Sequence, residues 1–150
     1  MGAARMVRTV STLAILLAAT AAVVAQTDVI GERQQIMKSF GAATGQASKM
    51  AKGETPFDLA KAKEYLQTYA TGAQKVASLF PPGSNAGKET AASPKIWENR
   101  AGFEKDLAEF RANAEKAASA TTDLESFRAN FGAVTRGCGG CHQDFRLKKG

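Results

Sequence analysis

The chain has 150 residues, 44% of them hydrophobic, and carries 20 Lys+Arg against 14 Asp+Glu, two cysteines and one histidine. That length fits one domain, and the basic excess is mild, scattered and never interleaved with aromatics, which argues against nucleic-acid binding. Alanine is abundant and alternating β-branched runs are missing, which excludes a strand-rich fold.

The first 25 residues read as a leader rather than as fold. Arg5 and Arg8 give a basic start, an apolar stretch runs from Val10 to Val24, and Val23-Val24-Ala25 supplies small residues at its exit. This three-part pattern predicts a secretory signal peptide over 1–25, cleaved near Ala25. The apolar run is shorter than the ~20 residues needed to span a bilayer, so no membrane association is expected after cleavage. The mature chain, 26–150, loses two of the 20 basic residues and keeps 18 against 14 acidic ones, a net +4 before any cofactor.

Four helical blocks follow. The first spans about Asp28 to Lys52, with Arg33, Met37, Phe40, Thr44, Ala47 and Ala51 on one stripe and Gly53 as a C-terminal cap. Thr55-Pro56 is a cap-then-proline start for the second, whose stripe is Leu59, Ala62, Leu66, Tyr69, Ala73, Val76 and Phe80. Pro81 to Ala92 is the one long loop. Ser93-Pro94 opens the third block, striped by Ile96, Arg100, Phe103, Leu107, Phe110, Ala114 and Ala117. Thr122-Asp123-Leu124-Glu125 reads as a capping box for the fourth, with Leu124, Phe127, Phe131, Val134, Cys138, Cys141 and Phe145 along its apolar line. Arg146 to Lys149 is expected to be a solvated helix end. Each helix has one apolar stripe and cannot bury it alone, so the expected fold is all-α, a four-helix bundle. Blocks of about 25 residues make rods near 35–40 Å, long enough to enclose one planar cofactor.

Both cysteines and the sole histidine fall in one run, Cys138-Gly139-Gly140-Cys141-His142. Cys-x-x-Cys-His is the haem attachment pattern. Cysteines three apart on a helical turn point to one side and can add across the two vinyl groups of one porphyrin, and the next histidine can then bind the iron. A thioredoxin-like pair normally accompanies a βαβ pattern, which is missing here. A structural zinc site needs four ligands, one more than this run supplies. The expected cofactor is therefore one covalent haem c.

At these residues the chain resembles the class II cytochromes c, which include cytochrome c′ and its low-spin relatives. The resemblance covers residues 28–147 and rests on Arg33-Gln34, Lys52-Gly53-Glu54-Thr55-Pro56-Phe57-Asp58, Phe80-Pro81-Pro82-Gly83-Ser84, Ser93-Pro94-Lys95-Ile96-Trp97 and the motif at 138–142 followed by Phe145-Arg146. It implies an antiparallel four-helix bundle enclosing the haem, a periplasmic location and often a homodimer. It also implies that the side chain four residues after the first-helix arginine, here Met37, covers the distal side of the iron, with Arg33 and Gln34 beside the cofactor. Arg33 and Met37 are i and i+4, hence on one face, and the planar fork of Arg33 suits a haem propionate. Some high-spin members carry a methionine there that does not bind iron, whereas low-spin members use it as a ligand. The runs Arg33–Lys38 and Ser93–Glu98 look more like the low-spin, six-coordinate branch. Met50 is read as core. Trp97 is read as a packing anchor or dimer-face residue, Tyr65 and Tyr69 as core or interface support, and Phe127, Phe131 and Phe145 as walls of the haem pocket.

The leading functional expectation is an electron carrier, with His142 proximal and Met37 distal, meeting periplasmic redox partner proteins. The alternative is a five-coordinate gas-binding protein taking nitric oxide or carbon monoxide under the cover of Met37 and Phe40. A thiol–disulfide enzyme is a distant third. No nucleophile–base pair can be built around the committed histidine, so no enzymatic activity is expected.

Overall fold

The computed structural model describes residues 3–86 and 89–148, with backbone alone for residues 3–27. Helix α1 runs Ala3–Lys52, α2 Leu59–Ala77, α3 Lys95–Glu98, α4 Arg100–Ala120 and α5 Leu124–Phe145. The expected leader, residues 1–25, lies outside the residues whose side chains are described. Among the described residues no helix is long and apolar enough to cross a membrane.

Each boundary has a local cause. Gly53, at φ 80°, takes the left-handed conformation that closes α1, with the Glu54 N–H donating to the Lys49 carbonyl at 2.9 Å. Asp58 caps α2 by accepting from the Lys61 N–H at 3.0 Å, so the start lies three residues beyond the one expected at Thr55-Pro56. The carboxylate of Asp58 reaches an orphan amide that Thr55 is too far away to serve. Helix α2 ends at Ala77, and Phe80 is buried from the loop rather than from the helix. The third block is split. Ser93-Pro94 opens only the single turn of α3, and Asn99 then caps α4 by accepting from the Gly102 N–H. For α5 the capping box is real but displaced by one: Asp123 is the cap and Ser126, not Glu125, reciprocates. The C-terminal run is not a helix end. Arg146 leaves the helix extended and bridges Ala92, with the Ser93 N–H donating to Phe145 O at 3.0 Å and the Leu147 N–H to Ala91 O at 2.8 Å.

Helices α1, α2, α4 and α5 form an antiparallel four-helix bundle. Helix α4 is packed most heavily, against α2 and α5, while α1 leans on α2 and meets α5 much less. With 19 to 22 residues in each of α2, α4 and α5, the rods are about 30 Å long, shorter than expected. Two apolar clusters fill the bundle. One gathers Ala43, Ala47, Met50, Leu66, Tyr69, Phe110, Phe127, Phe131 and Val134, with Cys138 against it. The other lies at the end closed by the 81–92 loop and gathers Ile36, Val76, Phe80, Ile96, Phe103, Leu107 and Phe145, with Cys141 against it. Phe40 packs against both.

Candidate haem site

The Cys-x-x-Cys-His run forms the last turns of α5, so the two cysteines stand one turn apart on the same side of a helix. Both are free and half-buried, and each touches a different apolar cluster. Burial pushes the Cys138 thiol up, and burial followed by the charges of Asp106, Cys138 and Asp144 pushes Cys141 up to about 11. Thiols held so far into the protonated form are poor thiolate nucleophiles, which weighs against thiol–disulfide chemistry. Desolvation, then the positive charge of Arg146, lowers the His142 imidazole and favours the neutral form that ligates metals. His142 itself is exposed on the flank of α5. No group of three or more His, Cys, Asp or Glu among the described residues is placed to hold a bare metal ion.

Helix α1 brings the second set of residues to the same end of the bundle. Its buried stripe is Ile30, Arg33, Ile36, Ala43, Ala47 and Met50, turned slightly from the stripe expected from sequence. The cause is that α1 leans towards α2, which rotates Ile36 inward. Met37 is left 37% exposed at the edge of this stripe, whereas Met50 is 3% exposed and locked in the core. Ile36 and Phe40, which flank Met37 along the helix, share an apolar cluster with Cys141.

Arg33 is 5% exposed, an unusual place for a guanidinium. Its Nη2 donates to the Ser84 carbonyl at 2.6 Å, and its guanidinium carbon lies 4.3 Å from the centre of the Phe80 ring. A turn places that carbonyl: Pro82 and Gly83, the latter at φ 79°, occupy its two middle positions, and the Ser84 N–H closes it onto Pro81 O. Nε and Nη1 of Arg33 are buried with no hydrogen-bond partner among the described residues. Two unsatisfied cationic N–H groups on different sides of the guanidinium ask for anionic acceptors. Gln34 instead faces outward and donates to the Glu89 carbonyl at 3.0 Å, tying α1 to the crossover loop.

Comparison with known proteins decides the family. The family described as Cytochrome C′ matches residues 28–146. The chain belongs to that family. A cytochrome c′ of Rhodopseudomonas palustris is 44% identical over 126 residues, covering 84% of this chain and 86% of that protein. A cytochrome c-556 of the same organism is 32% identical over 149 residues, covering 97% and 100%. Among solved structures, cytochrome c′ from Rhodopseudomonas palustris superposes with a TM-score of 0.78 at 42% identity, covering 82% of this chain and 98% of the other. This protein is thus a c-type cytochrome of the class II, four-helix kind, with one covalently attached haem c as cofactor.

The residues present fit such a group. The paired half-buried thiols, the neutral imidazole beside them and the buried, acceptor-seeking face of Arg33 all lie at one end of the bundle. Sequence reasoning did not single out Ser84, whose carbonyl holds Arg33, or Gly72, against which Phe40 packs. Ser84 stood within a quoted run, Phe80–Ser84, but a backbone acceptor leaves no side-chain signal. Trp97 is half-buried and edge-on to Phe80, with its Nε1 donating to Pro81 O at 3.0 Å, a packing role.

Proposed function

We propose that this cytochrome carries single electrons, with haem attached through Cys138 and Cys141 and with His142 and Met37 as its two axial ligands. The observation that carries this reading is the position of Met37, a half-exposed thioether on the α1 segment whose neighbours pack against Cys141, while the alternative, Met50, is buried in the core. The bound haem supplies the one-electron couple of its iron, and methionine–histidine ligation raises its potential. The chain's own part is to hold both ligands on rigid helices, so that a change of charge demands little movement. Arg33 would hold the anionic edge of the haem with the donors that find no partner among the described residues, and Gln34 keeps the crossover loop closed over that end.

The leader pattern of residues 1–25 supports export and a periplasmic location, where redox partner proteins would meet the chain. Association into a homodimer belongs to the same proposal.

A second reading is favoured by the 44% identity to a protein named cytochrome c′. In that reading Met37 covers an open coordination site and the protein binds nitric oxide or carbon monoxide. Visible spectra of the purified holoprotein, oxidised and reduced, with and without carbon monoxide, separate the two. A low-spin spectrum with a methionine-to-iron charge-transfer band, indifferent to carbon monoxide and lost in Met37→Ala, supports the carrier. A high-spin spectrum that shifts with carbon monoxide overturns it in favour of gas binding.

A further inference from the structure

Gly72 lies in the interior of α2, where glycine weakens a helix relative to alanine. Its backbone does not explain it, because among the described residues the positive-φ glycines are Gly53 and Gly83. Space does. A Cβ at this position would lie 2.2 Å from Phe40 Cε1, 2.6 Å from Phe40 Cζ and 3.1 Å from Ile36 Cγ2. The Phe40 ring has little room to retreat, since Tyr69 meets it edge-on at 5.5 Å between centroids and Phe110 lies at 6.0 Å.

Gly72 is the middle of a clamp. Lys75, Gly72 and Tyr69 are spaced by three along one face of α2, and they engage Glu32, then Ile36 and Phe40, then Thr44 of α1. Lys75 pairs with Glu32 at 2.5 Å. At the other end the Thr44 hydroxyl donates to Phe40 O at 2.8 Å, which leaves the Tyr69 hydroxyl to donate to Thr44, also at 2.8 Å. Contacts of α1 with α5 are few by comparison, so α2 decides the rotation and depth of α1. Met37 follows Ile36 directly and moves with it.

We infer that Gly72 is a positioning residue for the axial side of the haem: its missing side chain seats Phe40, and the seated Phe40 sets where Met37 stands relative to the Cys138–His142 segment. This rests on the reading of Met37 given above. Tyr69 and Phe110 limit how far the half-buried Phe40 ring can swing away from a methyl group at Gly72, so α1 turns or lifts with it.

The test uses the matured holoprotein. In Gly72→Ala the methionine-to-iron charge-transfer band should weaken or vanish, and carbon monoxide affinity should rise about tenfold, as overpacking of this size displaces a ligand. Adding Phe40→Leu to Gly72→Ala, which returns the space, should bring both readouts back towards wild type. Thr121→Ala, at the buried C-terminal end of α4 and away from this clamp, should lower the thermal midpoint and leave both unchanged. If Gly72→Ala yields no holoprotein, Tyr69→Phe removes only the Thr44 bond and should shift the same readouts in the same direction by less. Wild-type values in Gly72→Ala, or the same shift in Thr121→Ala, overturn the proposal. Should the wild type be high-spin and indifferent to Met37→Ala, the carrier reading fails by itself. Gly72 is then judged on carbon monoxide affinity alone, which must change in Gly72→Ala and return in the double variant.

Discussion

Replacing Arg33 by methionine in the holoprotein measures whether its buried guanidinium is paired in the working molecule. Methionine keeps an unbranched apolar stem and removes all five donors. Two contacts are then lost. The Nη2 bond to Ser84 O, at 2.6 Å, is a charged hydrogen bond of roughly 1.5–3 kcal/mol. The placement over Phe80 adds about 1 kcal/mol. Against this stand Nε and Nη1, buried without an acceptor among the described residues, at roughly 1–3 kcal/mol for each unsatisfied donor. With protein contacts alone these terms nearly cancel, and Arg33→Met would be neutral or stabilising. With propionate oxygens accepting from these donors the penalty disappears, and removing one partner of the buried pair costs about 3 kcal/mol or more. For a domain of about 120 residues the unfolding entropy is near 0.25 kcal/mol/K, so the midpoint should fall by about 12 °C. Urea and thermal unfolding followed at the Soret band and in the far ultraviolet give both numbers. Arg33→Lys should recover only part of the loss, because an ammonium cannot present a planar fork. A midpoint equal to or above wild type in Arg33→Met would refute the pairing.

Three further outcomes are expected. Phe127, fully buried and stacked on Phe131 at 5.7 Å, should cost about 3–5 kcal/mol on Phe127→Ala, seen as an earlier urea midpoint with unchanged slope. The Asp123 carboxyl is held below its ordinary range chiefly by the Ser126 amide and then its hydroxyl. A depressed folded-state value contributes stability above about pH 4 that is lost as pH falls below it. Asp123→Asn should therefore flatten that part of the acid limb in a thermal-midpoint series. Gly45, exposed within α1 with nothing inside 4 Å of an added Cβ, should gain roughly 0.5–1 kcal/mol on Gly45→Ala. Calorimetry should show this as a higher midpoint, and a lower one would reveal another surface packed there.

Much of this protein was legible in its sequence because the governing interactions are local. Helical spacing of apolar residues gave the bundle, Gly53 its first C-cap, and five consecutive residues the haem motif. The cap positions that went astray were decided by competition among neighbours. Asp58 outbid Thr55, Ser126 outbid Glu125, and Asn99 restarted a helix that Ser93-Pro94 had opened for only one turn. Each case turns on which side chain reaches an orphan amide, a matter of fractions of an ångström that composition does not encode. Packing between distant segments was not legible at all. Only the folded chain turns Ile36 inward and leaves Met37 at the edge of the buried stripe, because a glycine 35 residues further on lets Phe40 approach α2. Only the folded chain buries Arg33 against Phe80 and the Ser84 carbonyl, 51 residues away, and leaves two of its nitrogens without a partner among the described residues. The sequence determined what chemistry the chain can carry, since motif and helix both follow from near neighbours. Tertiary structure decided how Met37 and Arg33 are presented, since that depends on which helix α1 leans against.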